Sequence, residues 1–150
     1  MNFLLNKGGA GKSLSRARTA AEMSTLLIRH IELLRTYDML IQSLGEGDAA
    51  DRLREQQKDH RADIARLSEI ILSSGGVPPR EGLLLGGNDQ SDLIKSVNSA
   101  ERELRRDIEE QLEQKHQLRT VAMMEGLLAN TERRIGFVQQ MAHRYSVPVN

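Results

Sequence analysis

All three prolines of this chain, at positions 78, 79 and 148, stand outside four long stretches with helical spacing, and that placement limits the fold more than any other feature. A proline inside a helix removes a backbone hydrogen bond and clashes with the preceding turn, so long proline-free stretches are free to run as helix. From Leu14 to Leu44 there is no glycine either. Leu26, Leu33, Tyr37, Leu40 and Leu44 form one row there, and Leu27, Ile31, Leu34 and Ile41 the adjacent one. The two rows make an apolar face wide enough to meet more than one neighbour.

Glycines at 45 and 47 end that helix, and Asp48 is the expected N-cap of the next. The second helix is expected over 49–74, with the inward row Leu53, Gln57, His60, Ile64, Leu67, Ile71. "SSGGVPP" stops it, and residues 75–89 form a glycine- and proline-rich connection long enough to cross a bundle from end to end. A third helix opens at "DQSD" with the row Ile94, Val97, Glu101, Leu104, Ile108, Leu112. The fourth carries Val121, Met124, Leu128, Thr131, Ile135, Val138 and Ala142. The turn between them is placed at 115–117, where the apolar face loses phase; one long bent helix is the competing reading. Helices of roughly 25 to 30 residues are each about 40 Å long, the dimension of an antiparallel four-helix bundle. The expected organisation is a flexible tail over 1–13, a bundle over 14–146 and a short C-terminal tail over 147–150.

Near the start, "NKGGAGKS" is close in spelling to a lysine-first phosphate-binding loop, in which Lys7, Lys12 and Ser13 would hold phosphates and Mg²⁺. Such a loop is built on the edge of a parallel sheet. Beyond "NFLL" no segment alternates as a strand, so nucleotide binding ranks third among the functions considered. The 21 basic and 21 acidic residues cancel, which gives no overall field for nucleic acid or an anionic membrane. No apolar run is long enough to span a membrane, and there is no cysteine for a disulfide or thiolate metal site. A cytoplasmic protein is the default expectation.

The chemistry of the chain lies where polar residues interrupt the apolar rows. His30 falls seven residues before Tyr37; Gln57 and His60 lie three apart in the second helix. Glu101 is central in the third, and Thr131 and Arg134 lie in the fourth. A buried polar group needs a hydrogen bond and a buried charge needs a partner, so four helices each contributing one point to a shared centre. His116, near the expected turn, is read as exposed.

"LLIRHIELLRTYDML" and "QQKDHRADIARLSEIILSSGGVPP" resemble the first and second helices of small bacterial ferritin-like proteins, and the resemblance extends over about 24–142. It implies an all-α ferritin-like bundle with a longer connection between the second and third helices. It also implies a di-metal site built from one Glu on the first helix, Glu-x-x-His on the second, one Glu on the third and Glu-x-x-His on the fourth. In this chain the first-helix position holds His30, with Glu32 facing elsewhere, and the second-helix motif reads Gln57-x-x-His60. Glu101 matches the third-helix carboxylate, and the last motif reads Thr131-x-x-Arg134. Two of the implied ligands, His60 and Glu101, are thus in place.

Three readings of the centre follow. In the first, the metal site is lost and His30, Gln57, His60, Glu101, Thr131 and Arg134 form a buried polar network without a cofactor. The protein is then non-enzymatic and acts through self-association, as a dimer suggested by the wide first-helix face, or through a protein partner. In the second, His30, His60 and Glu101 hold one Fe or Zn ion, as in an oxidoreductase or iron-handling protein. In the third, these side chains do not converge.

Overall fold

The computed structural model describes residues 13–81 and 89–149. They form four helices, α1 (Arg16–Leu44), α2 (Asp48–Ser73), α3 (Gln90–Leu112) and α4 (Leu118–Arg144), with no strand among the described residues. The sheet that a phosphate-binding loop needs is therefore missing from them. Lys7 and Lys12 lie outside the described residues, and Ser13 is exposed.

Each boundary has a local cause. The Ser15 hydroxyl caps α1 by accepting from the Arg18 amide at 3.1 Å, and the Asp89 carboxylate caps α3 by accepting from the Asp92 amide at 2.8 Å. Asp48, the expected cap of α2, is instead its first helical residue; Gly47 holds the cap position with φ 144°. At the end of α2 the amides of Gly75 and Gly76 donate to the carbonyls of Leu72 (3.0 Å) and Ile71 (2.9 Å). This is the paired-bond stop that glycine favours, with Gly75 at φ 85°. Gly76 is needed for a second reason: a Cβ there would come within 2.8 Å of the Ala20 Cβ. The break between α3 and α4 spans 113–117, close to the expected turn, so the single bent helix is not formed.

The ladder of contacts fixes the topology. The Leu14 amide donates to the Lys115 carbonyl, so the start of α1 meets the end of α3 and the two run antiparallel. Arg133 reaches Asp59 and Arg144 reaches Asp48, so α2 and α4 are antiparallel as well. Since α1 and α2 also form an antiparallel hairpin, α2 and α3 point the same way. The end of α2 and the start of α3 therefore lie at opposite ends of the bundle. α1 packs on α2 and α3, and α4 packs on α3 and α2, leaving α1–α4 and α2–α3 as diagonals.

The core is the expected one with a few phase corrections. Leu26, Leu33, Leu40, Leu53, Leu67, Ile71, Ile94, Val97, Leu104 and Ile108 are all buried. In α4 Leu127 is buried rather than Leu128, and in α2 Asp63 takes the buried place expected of Ile64. The wide face of α1 is used inside the chain, against both α2 and α3. No helix of the described residues is long and apolar enough to cross a membrane.

Candidate functional site at the bundle centre

Heptad-like spacing brings one polar residue from each helix to the middle of the bundle. His30 lies between Leu26 and Leu33, His60 between Leu53 and Leu67, Glu101 between Val97 and Leu104, and Arg134 between Leu127 and Val138. All four are fully buried. Neighbours at three, four or seven residues share a helical face, so the apolar rows that build the core aim these side chains inward.

Glu101 is the hub. Its Oε2 accepts from the Tyr37 hydroxyl at 2.7 Å and lies 2.8 Å from His60 Nε2. The Arg134 Nε–H faces both carboxylate oxygens, at 3.2 and 3.1 Å. Burial alone would raise the Glu101 pKa. His60 and the Arg134 guanidinium beside it, with hydrogen bonds from His60 and Tyr37, overcome it and bring the value down to about 2. Burial and the Glu101 charge push the Tyr37 phenol in the other direction, well above its ordinary range.

The histidines continue the chain. His30 Nδ1 and His60 Nδ1 are 2.7 Å apart, and the rings meet edge to face at 69°. When His60 donates to the Glu101 carboxylate from Nε2, a neutral pair places the shared hydrogen on His30. His30 Nε2 is then a bare lone pair, and it has no hydrogen-bond partner. Burial holds His30 well below the usual imidazole pKa, and the neighbouring His60 and Arg134 add to this.

On the far side, Arg134 reaches into α2. Its Nη1 donates to Asp63 Oδ2 at 3.0 Å and to Asp59 Oδ2, while Nη2 donates to the Thr131 hydroxyl at 3.0 Å. That hydroxyl passes its own hydrogen to the Leu127 carbonyl, at 2.7 Å. Asp63 Oδ1 also accepts from Asn130 (2.8 Å) and from Arg66 (3.1 Å). Burial raises the Asp63 pKa, against the lowering effect of Arg134 and Asn130. Three carboxylates from two helices thus surround one guanidinium.

Of the six residues expected to meet, the structure links five: His30, His60, Glu101, Arg134 and Thr131. Gln57 is buried, but its amide nitrogen donates toward α1, to Asp38 Oδ1 (2.6 Å) and the Leu34 carbonyl (3.3 Å). Glu32, expected to face elsewhere, is itself buried. His116 is also buried rather than exposed, with Nε2 2.8 Å from Gln111 Oε1.

The sequence reading missed Asp59, Asp63 and the polar role of Tyr37. Asp63 follows His60 by three and precedes Leu67 by four, which places it on the buried face. That spacing was available signal. Asp59 had none, since "KDHRAD" reads equally well as a solvated surface.

The di-metal site that the sequence resemblance implies makes a demand this donor set either meets or does not. In the arrangement observed, His30, His60 and Glu101 lie in a hydrogen-bonded line rather than around a point. An ion needs about 2.0–2.2 Å to each ligand atom, whereas the close nitrogens are joined by a hydrogen bond. Among the described residues no group of three or more His, Asp or Glu side chains is placed to hold a metal ion. Arg134 puts a fixed positive charge beside the carboxylate that a metal would need. This arrangement does not fit a metal centre.

The chain matches no protein-family model. No curated protein matches it either. Among solved structures it is similar to a ferritin-like, diiron-carboxylate protein from Bacillus anthracis strain Ames, with a TM-score of 0.75 and 16% identity over 87% of this chain and 99% of the other. Four helices in that arrangement, with the second ending and the third beginning at opposite ends of the bundle, make the fold of this chain the ferritin-like four-helix bundle.

Proposed function

We propose that this protein is a non-enzymatic ferritin-like bundle whose centre is a structural ion-pair network without a metal, and that it acts by associating with a second copy of itself. The observation that carries the reading is the state of Glu101: both oxygens face protein donors from three other helices, Tyr37, His60 and Arg134. Oε2 is taken up by three donors, and Oε1 stands beside the fixed positive charge of Arg134, which disfavours a shared ion. Support for association comes from the surface. Leu72 and Leu118 are 60% and 87% exposed, and Arg119 joins their two helices by donating to the Ser73 hydroxyl. These side chains put apolar surface at the end of α2 and the start of α4, where a second copy could cover it.

The test is metal content by inductively coupled plasma mass spectrometry, on protein purified without chelator and loaded anaerobically with Fe²⁺ and Zn²⁺. Less than a tenth of an ion per chain, with a melting temperature unchanged by chelator, is the expected result. Sedimentation equilibrium checks the second half: a dimer that Leu118→Glu dissociates is expected, and a monomer at all concentrations would remove self-association.

A second reading keeps one observation in its favour. The buried, unpartnered His30 Nε2 is a lone pair that a single Fe or Zn ion could use, with His60 and Glu101, once the Nδ1–Nδ1 hydrogen bond is broken. One ion per chain, lost in His60→Ala, would establish that reading in place of the first.

A further inference from the structure

The way the carboxylates approach Arg134 differs from ordinary arginine pairing. A guanidinium and a carboxylate usually match one N–H to one oxygen in a parallel fork. Here both Glu101 oxygens face the single Nε–H, and Asp59 and Asp63 share Nη1, while Nη2 meets only the Thr131 hydroxyl. Nη1 carries two N–H groups, one for each aspartate, and no carboxylate pairs its two oxygens with two nitrogens of the guanidinium. The three carboxylates gather round the positive charge without any of them matching the fork.

The charge count points the same way. Glu101 and Asp63 are fully buried and the Asp59 side chain is 20% exposed, yet one arginine side chain serves all three. Arg133 and Arg66 reach Asp59 and Asp63 from the surface, where both are more than half exposed. A buried carboxylate without a counter-charge is costly, and removing one partner of a buried pair is strongly destabilising.

We infer that Asp59, Asp63 and Glu101 form a cation seat between α2 and α3, and that Arg134 is its tethered occupant, reaching in from α4 in place of a diffusible ion. The inference rests on the metal-free reading of the centre and extends it. What the core requires at this point is a positive charge that ties three helices together. The emptied seat, shaped around a guanidinium, would therefore take guanidinium itself from solution.

The experiment is thermal unfolding of wild type and of Arg134→Ala, each alone and with millimolar guanidinium chloride. Arg134→Ala should melt about 10–15 °C below wild type. At least half of that loss should return with guanidinium, while NaCl at equal ionic strength has no effect and wild type gains nothing. Arg134→Lys, which keeps the charge but not the fork, should lose less than half as much.

A variant as stable as wild type, or a loss that guanidinium does not restore, would overturn the inference. If Arg134→Ala does not fold even with guanidinium, Arg134→Ala with Asp63→Asn and Glu101→Gln decides the point. A cooperative melt from that neutralised chain supports a requirement for charge, and its failure to fold overturns it. The two proposals fail separately. Metal retained by wild type removes the metal-free reading, whereas absent cation rescue in the variant removes only the seat.

Discussion

Glu101 and Tyr37 show how much a single side chain decides here. The phenol donates at 2.7 Å to a carboxylate with no exposure to water, and a hydrogen bond to a charged group contributes about 1.5–3 kcal/mol. Tyr37→Phe keeps the ring against His60 and should cost about that much in denaturant unfolding, with the Glu101 pKa rising in carboxyl-resolved NMR. An unchanged midpoint would show that the donor is redundant. His30 invites the opposite expectation. Its Nε2 has no partner, so His30→Leu, of similar bulk, removes an unmet lone pair together with the bond to His60. The two effects oppose one another, and the change in stability should stay within about 1.5 kcal/mol.

At the scale of elements, the helix ends were legible where backbone chemistry is local. Glycine at 75 and 76 announced the end of α2, and Asp89 the start of α3, because turn and cap preferences depend on a few adjacent residues. Asp89→Ala should therefore cost about 1 kcal/mol. The end of α4 was less legible. It uses the same paired-bond stop as α2, with Ser146 and Val147 donating to the His143 and Ala142 carbonyls, but the left-handed position, φ 56°, is held by a serine. Ser146→Gly relieves that strain and should stabilise the bundle by about 0.5–1 kcal/mol, visible as a small rise in melting temperature. A fall would mean that the serine side chain contributes something the backbone does not reveal. Between α3 and α4 neither glycine nor proline marks the break, which is why a single bent helix competed with it in the sequence.

For the molecule as a whole, the buried titratable groups predict an acid-sensitive bundle. Burial holds the folded pKa of His30 and His116 below the usual 6.5. The unfolded chain then takes up protons near pH 6.5 that the native state refuses, so stability falls as pH drops through that value. The slope is about 1.4 kcal/mol per pH unit for each such site. Glu101 adds a second phase. Its folded pKa of about 2, against the ordinary 4.5, gives about 3 kcal/mol that is present above pH 4.5 and lost on the way down to 2. Asp63 and Asp107, whose pKa values are raised by burial, oppose that second loss because the folded state takes up their protons first. Urea midpoints from pH 8 to 3 should show both phases, and His30→Gln should flatten the first. A midpoint constant between pH 7 and 5 would contradict the assignment.

The sequence by itself determined four helices, their apolar rows and the crossover after α2, because 3.6-residue spacing, caps and helix breakers act over a few neighbours. It also brought His30, His60, Glu101 and Arg134 to one depth, since each interrupts a row that must face inward. Only the tertiary structure decided which of these atoms meet: that His30 and His60 share a hydrogen, that Gln57 turns to Asp38, and that Asp59 and Asp63 close around Arg134. Those pairings depend on the relative rotation and translation of helices far apart in the chain. A few ångströms of offset or a third of a turn would change every partner and leave the apolar pattern unaltered.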